Sequence, residues 1–366
     1  MAENQSIVIG AHPTIYNGYT DRELRIDFSL PSDGMNVQTG ILLLVPGFGG
    51  NIDSKVYKKM REELADSYNL LTVQCSFFGD QFMQSTEDFS IENLEAYTRK
   101  YLTKKEKDLV AGNTDKMIQR LSAKNFVLPV KAKINETENI FNDMGIMQAI
   151  DLITTLEAIK ILLKGNDLEF NPNQVIGYGH SHGAYLLHLV NRISPSLFSN
   201  IIDNSGWIEP AYLKSNRYLF QKLNEMTLQI EFDYLAKKVV PSTMIFSLDK
   251  LYEGFDNQAD ILTFQGTNDN LIDHYHKQKL FLSIPNTKFM LIDEKDVDGV
   301  IYKSNTHGLH ADFLEMFKLA DGMFNEKNKM RKDKTEFKNG NEVIISNIKI
   351  NVDYSKGLPI FTVSEL

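Results

Sequence analysis

Residues 179–183 read Gly179-His180-Ser181-His182-Gly183. Ahead of them runs the short apolar stretch Asn173-Gln174-Val175-Ile176-Gly177-Tyr178, and behind them Ala184-Tyr185-Leu186-Leu187-His188-Leu189-Val190, whose apolar residues have helical spacing. A strand that passes straight into a helix has to turn sharply, and positions flanking the turn then lack room for a Cβ. Glycine meets that need and tolerates strained dihedrals. The turn lifts the Ser181 hydroxyl to the carboxyl end of the strand. The next backbone N–H, that of His182, opens a helix N-terminus and so faces any negative charge developing beside the serine. A serine hydroxyl is a poor nucleophile near neutral pH; it needs a base to take its proton and an acid to orient that base. The chemistry such a set performs is acyl transfer.

Composition limits the alternatives. The 366 residues are 42% hydrophobic, enough for a large core, and the net charge of −9 argues against nucleic acid or an anionic membrane as partner. The one basic run, Lys327-Asn328-Lys329-Met330-Arg331-Lys332-Asp333-Lys334, reads as a solvated helix end. A lone cysteine, Cys75, forbids an intrachain disulfide. The first residues carry neither a basic nor an apolar leader segment, and no stretch reaches the roughly 18 apolar residues of a membrane span. These features predict a cytoplasmic location; they do not fix the oligomeric state.

The elements that must hold Ser181 follow from periodicity. Residues 6–10 and 23–30 predict an antiparallel edge hairpin turning through Asn17-Gly18, and 39–45 a strand buried on both faces. A helix over 54–67 and a strand over 70–75 come next. Asn142 or Asp143 caps a helix ended by Gly165, with Ile146, Ala149, Ile150, Ile153, Leu156 and Leu163 as its apolar stripe. Beyond the serine we expect strands over 199–203, 260–264 and 288–293, with a helix over 273–284 between the last two. Strands alternating with helices predict an α/β class with a doubly wound, mostly parallel sheet. Residues 78–137, polar and with little strand character, and 208–258, rich in Tyr and Phe, read as insertions into one domain spanning 1–366. The second is expected to cap the site. Residues 342–352 and 358–364 predict a C-terminal hairpin added at an edge.

A G-x-S-x-G between strand and helix resembles the nucleophile elbow of α/β-hydrolases, which implies the chain order Ser, then Asp or Glu, then His on loops after later strands. Asp269 follows the strand at 260–264, and His307 lies in Ser304-Asn305-Thr306-His307-Gly308-Leu309-His310, after the strand at 288–293 and ahead of a helix. They are the expected acid and base. The expected oxyanion hole pairs the His182 N–H with that of Phe48, in the loop Pro46-Gly47-Phe48-Gly49-Gly50, with Gly49 second. Trp207, the only tryptophan, and Gly49 are candidates for the pocket lining.

Each choice has a rival. Asp269 also stands where it would cap the following helix, with Asp203, Asp296 and Asp298 as alternative acids and His310 as an alternative base. The pairs His180/His182 and His274/His276 have metal-like spacing, but no further ligand motif follows, so no metal or other cofactor is expected. Asp203-Asn204-Ser205-Gly206-Trp207, Glu294-Lys295-Asp296-Val297-Asp298-Gly299 and Thr306-His307-Gly308-Leu309 resemble segments of a bacterial family known only as a domain of unknown function. Some of its members are encoded among flagellar-glycan modification genes. That resemblance runs from the Pro46 loop to about residue 320 and implies the hydrolase fold with Ser181, Asp269 and His307 at the triad positions, but no reaction. The expected activity is hydrolysis of a small acyl ester, carried by a small molecule or a glycan, through an acyl-enzyme. Two other readings share these residues: acyl transfer to a bacterial sugar by the same triad, and a non-catalytic binding protein on the same fold.

Overall fold

Alternation within one apolar run shows how the centre is built. In Gly40–Val45, Ile41, Leu43 and Val45 pack into one buried cluster, while Leu42 and Leu44 pack into another on the opposite side. A strand covered on both faces needs apolar residues at every position, which is why the segment shows no polar alternation. The structure is a computed structural model that describes residues 1–84, 88–328 and 341–366. Residues 329–334 of the basic run lie outside these.

The central sheet has eight strands: β1 (Glu3–Gly10), β2 (Glu23–Leu30), β3 (Gly40–Val45), β4 (Leu70–Cys75), β5 (Val175–His180), β6 (Asn200–Asn204), β7 (Asp260–Gly266) and β8 (Thr287–Ile292). Their spatial order is β1-β2-β4-β3-β5-β6-β7-β8. β1 and β2 form the antiparallel edge hairpin, and β3 to β8 run parallel. Helices α1 (Lys55–Tyr68), α2 (Ile146–Gly165), α3 (His182–Ile193), α4 (His274–Phe281) and α5 (Phe313–Asn328) cover it. Tyr57 and Met60 of α1 join Phe317 of α5 on one face; Ile150 of α2, Leu186 of α3 and Phe281 of α4 lie on the other. This is a doubly wound, mostly parallel α/β arrangement. The loops after β3, β5, β6, β7 and β8 meet at the carboxyl edge, where ligands bind in open α/β sheets.

Three elements differ from expectation. Residues 78–137 do contain strands, Phe89–Ser90 and Val127–Ala132, and the latter pairs in parallel with Met226–Phe232 of the second insertion. With Arg217–Leu223 they form a four-stranded mixed sheet, so the two insertions fold against each other. Val127-Leu128-Pro129-Val130-Lys131 buries only Leu128 and Val130; Pro129 within so short a run hides the alternation. Second, α2 is buried almost all round, polar Gln148, Asp151 and Thr155 included, because Arg22 of the edge hairpin reaches in to Asp151 at 2.6 Å. Its N-cap is Gly145, although Asp143 still accepts the Met147 N–H at 2.7 Å. Third, the C-terminal segment is a separate antiparallel sheet of three strands, Asn341–Ile345, Ile348–Asp353 and Ile360–Glu365. The turn at Ser346-Asn347, with Ser346 at φ 55°, splits what reads as one strand. This sheet is tied down by Arg192 donating to the Ile344 carbonyl and by the Phe361 N–H donating to His12 Nε2. Among the described residues no helix is long and apolar enough to cross a membrane.

The shared sheet predicts a coupled response. Ile230, fully buried, sits opposite Val130 and Leu219. Ile230→Ala should cost about 2–5 kcal/mol locally and raise amide exchange in both 127–132 and 226–232, while β3 and β5 stay protected. Exchange confined to 226–232 would contradict the coupling.

Candidate active site

The elbow is as tight as its glycines require. A Cβ on Gly179 would lie 2.5 Å from the backbone of Ala184, and one on Gly183 would lie 2.3 Å from the Val45 carbonyl oxygen. Ser181 itself has φ 52° and ψ −118°, a conformation costly for a residue with a side chain. Hydrogen bonds hold it: Ser181 N–H donates to the Asn204 carbonyl at 2.8 Å, and Trp207 N–H to the Ser181 carbonyl at 3.3 Å. The nucleophile candidate is thus pinned to the end of β6 as well as β5.

Three side chains from three loops then line up. Ser181 Oγ is 2.8 Å from His307 Nε2, and His307 Nδ1 is 2.8 Å from Asp269 Oδ2. Asp269 Oδ1 accepts the N–H groups of Leu271 and Ile272, and Oδ2 also accepts Gln265 Nε2 at 2.7 Å. Burial pushes this carboxyl up, but the hydrogen bond to His307, the charge of that residue and the other donors together outweigh burial and hold it below its ordinary value. Asp269 therefore binds its own loop and also faces His307, whereas the following helix is capped by Asp273, which accepts the Tyr275 and His276 N–H groups. The His307 loop is fixed by Ser205, whose hydroxyl accepts the Gly308 N–H at 3.1 Å. Gly308, at φ 72°, allows that loop to close over His180, whose Nε2 would lie 2.6 Å from a Cβ there.

The rival residues are engaged elsewhere. Asp298 accepts the N–H groups of Val300, Ile301 and Tyr302, Asp296 accepts that of Asp293, and His310 is exposed. Asp203 is fully buried between Lys277 Nζ at 2.9 Å and His188 Nε2 at 3.1 Å. Although burial alone would raise it, the charge of Lys277 and the hydrogen bonds from His188 and Lys277 hold its carboxyl well below the ordinary value. Nothing in the sequence signalled the buried Lys277, since lysine in a short polar helix reads as solvated. Gln265 carried no signal in the sequence, and Asn204 and Ser205 stood out only as part of the family-like segment 203–207.

The Phe48 and His182 N–H groups make no hydrogen bond among the described residues, whereas that of Gly49 donates to Met83 Sδ at 3.4 Å. Gly49 is exposed and packs against Gln84. The Phe48 ring stacks on Trp207 at 5.3 Å and meets Tyr212 and Tyr234 of the second insertion edge-on. Trp207 is buried and contacts the His182 ring at 4.7 Å. Burial lowers His182 to about 3, with the Met144 carbonyl acting weakly the other way, so the ring is neutral. His180 is lowered to about 4, chiefly by burial and then by the charge of His307. Both histidines of the H-x-H pair are therefore packed side chains. Among the described residues no three His, Cys, Asp or Glu side chains are grouped to hold a metal.

Residues 19–251 match a family described as protein of unknown function (DUF2920). The chain belongs to the DUF2920 family. The match takes in the elbow and most of both insertions and ends ahead of Asp269 and His307, short of the expected residue 320. No curated protein matches the sequence. In structure the chain is similar to Est1E from Butyrivibrio proteoclasticus, at 11% identity over 84% of this chain and 95% of that one, with a TM-score of 0.46. It is also similar to Thermogutta terrifontis esterase 2 phosphonylated by sarin, at 10% identity, 88% and 97% coverage and a TM-score of 0.46. An α/β hydrolase from Novosphingobium aromaticivorans gives 11% identity, 89% and 99% coverage and a TM-score of 0.43.

The elbow contacts predict an asymmetric response to alanine. Gly179→Ala and Gly183→Ala drive a Cβ into backbone and should each cost on the order of 3 kcal/mol or more in urea unfolding. Gly322→Ala, in open space on α5, should stabilise by about 0.5–1 kcal/mol. Equal, small effects at all three positions would contradict the packing described.

Proposed function

We propose that this chain is a serine hydrolase that cleaves the ester of a short acyl group through an acyl-enzyme. The observation that carries the reading is the unbroken line from Ser181 Oγ to His307 to Asp269, each contact 2.8 Å. Ser181 Oγ attacks the ester carbonyl as His307 Nε2 takes its proton. His307 then returns that proton to the departing alkoxide, leaving Ser181 acylated. Water repeats the sequence, with His307 again accepting a proton, and the free acid departs. Asp269 accepts from Nδ1–H, which keeps Nε2 available as the base. The unengaged N–H groups of Phe48 and His182 are the proposed oxyanion donors, worth about 3 kcal/mol each in the transition state. The neutral, buried His182 ring adds no competing charge beside them. Phe48, Trp207 and Tyr212 crowd that side of the elbow with aromatic rings, which supports a short acyl group. The paired insertions, reaching Phe48 through Tyr212 and Tyr234, would act as a cap on a single hydrolase domain.

Steady-state hydrolysis of p-nitrophenyl acetate and butyrate tests this reading. Ser181→Ala should abolish turnover, and Asp269→Asn should lower kcat by about 10⁴-fold because the imidazole adopts the wrong tautomer. Undiminished turnover in Ser181→Ala would refute it; a minor loss in Asp269→Asn would remove Asp269 from the acid role.

A further inference from the structure

A lysine with no exposed surface lies two hydrogen bonds from Asp269 and three from His307. Lys277, on α4, is fully buried, and its Nζ has three acceptor groups: the Asp203 carboxylate at 2.9 Å, the Gly206 carbonyl at 2.8 Å and Gln265 Oε1 at 3.3 Å. An ammonium has three protons and no acceptor capacity, so this set uses all of them. The consequence falls on Gln265, itself fully buried. With Oε1 turned to the ammonium, its Nε2 is turned to Asp269 Oδ2, 2.7 Å away. The opposite amide orientation would set an N–H against an ammonium and a carbonyl oxygen against a carboxylate, both repulsive in a buried site. A lysine needed only to neutralise Asp203 would not require the third contact.

We propose that Lys277 is a positioning residue for Asp269, acting through the Gln265 amide. It fixes which way that amide faces, and the amide then supplies the fourth donor to the carboxylate, after Leu271, Ile272 and His307. The carboxylate is thereby held ionised and turned so that Oδ2 meets His307 Nδ1. The catalytic consequence rests on the serine hydrolase reading; the effect on the carboxylate does not. The other titratable or charged groups facing this pair are Ser181, His180, whose ring lies 6.1 Å from that of His307, and Asp203. Asp203 and Lys277 offset one another.

Two variants test this in the full-length chain. Gln265→Met keeps the side-chain length and removes both amide contacts. Lys277→Met with Asp203→Asn removes the ion pair without leaving a lone buried charge. Folding is checked by circular dichroism and thermal unfolding. Two readouts are taken on each: the Asp269 carboxyl carbon titrated by NMR, its resonance assigned with Asp269→Asn, and the pH profile of Ser181 phosphonylation by a fluorophosphonate. In both variants the Asp269 titration should move up by roughly half to one pH unit. The pair titrates as one system, and a carboxylate with fewer other donors holds the shared proton more tightly, so the acid limb of labelling should move up as well. The plateau rate should fall about ten-fold. A structural ion pair alone would lower stability but move neither limb nor titration. Folded variants with both at wild-type values overturn the proposal. If wild type fails to label while the Asp269 titration still shifts, the hydrolase reading fails and the positioning role stands.

Discussion

The close approach of residues 179–184 to the ends of β3 and β5 is the constraint on which the rest of the molecule depends. Backbone meets backbone there without an intervening Cβ, which fixes α3 against the sheet and forces Ser181 into positive φ. Strain of that kind persists only where neighbouring structure over-determines it. Here β6 provides the restraint: Asn204 accepts the Ser181 N–H, Trp207 donates to the Ser181 carbonyl, and Ser205 holds the loop bearing His307. One short segment, 203–207, thus positions Ser181 and the His307 loop together. Its first residue, Asp203, holds Lys277, which meets Gln265, a donor to Asp269.

Around this rigid centre the chain places groups of graded polarity. On the Asp269 side lies a charged network in which Lys277 donates to Asp203, Gly206 and Gln265, and Gln265 donates to Asp269. On the Phe48 side lies an aromatic cluster that buries a neutral His182 and carries the Arg217 guanidinium over the Phe48 ring at 5.1 Å. The second insertion reaches both flanks, the aromatic one through Tyr212 and Tyr234 and the polar one through Tyr252, whose hydroxyl meets His188 Nδ1 at 2.6 Å.

The central sheet was legible because buried parallel strands and their helices leave unmistakable apolar runs. The elbow was legible for a different reason: tight backbone contact admits so few residue types that Gly179 and Gly183 announce it. Asp269 and His307 became candidates through chain order and strand ends, and the structure sets them 2.8 Å apart. What stayed hidden depended on contacts distant in sequence. Val127–Ala132 becomes a strand only because Met226–Phe232 lies beside it, and α2 tolerates buried Asp151 only because Arg22 arrives from the edge hairpin. Lys277 was invisible for the same reason. Its three partners come from β6, the turn after it and β7, and nothing within α4 distinguishes it from a solvated lysine. The three-stranded C-terminal sheet was missed because the turn at Ser346-Asn347 lacks the glycine that usually marks a two-residue hairpin loop.

The central claim is that Ser181 is chemically activated by the residues around it. Intact mass spectrometry after incubation with a fluorophosphonate, on wild type and Ser181→Ala side by side, tests it without any assumption about substrate. The account predicts one adduct per chain on wild type and none on the variant. A folded wild-type chain that takes up no adduct, or an adduct that persists in Ser181→Ala, would contradict it.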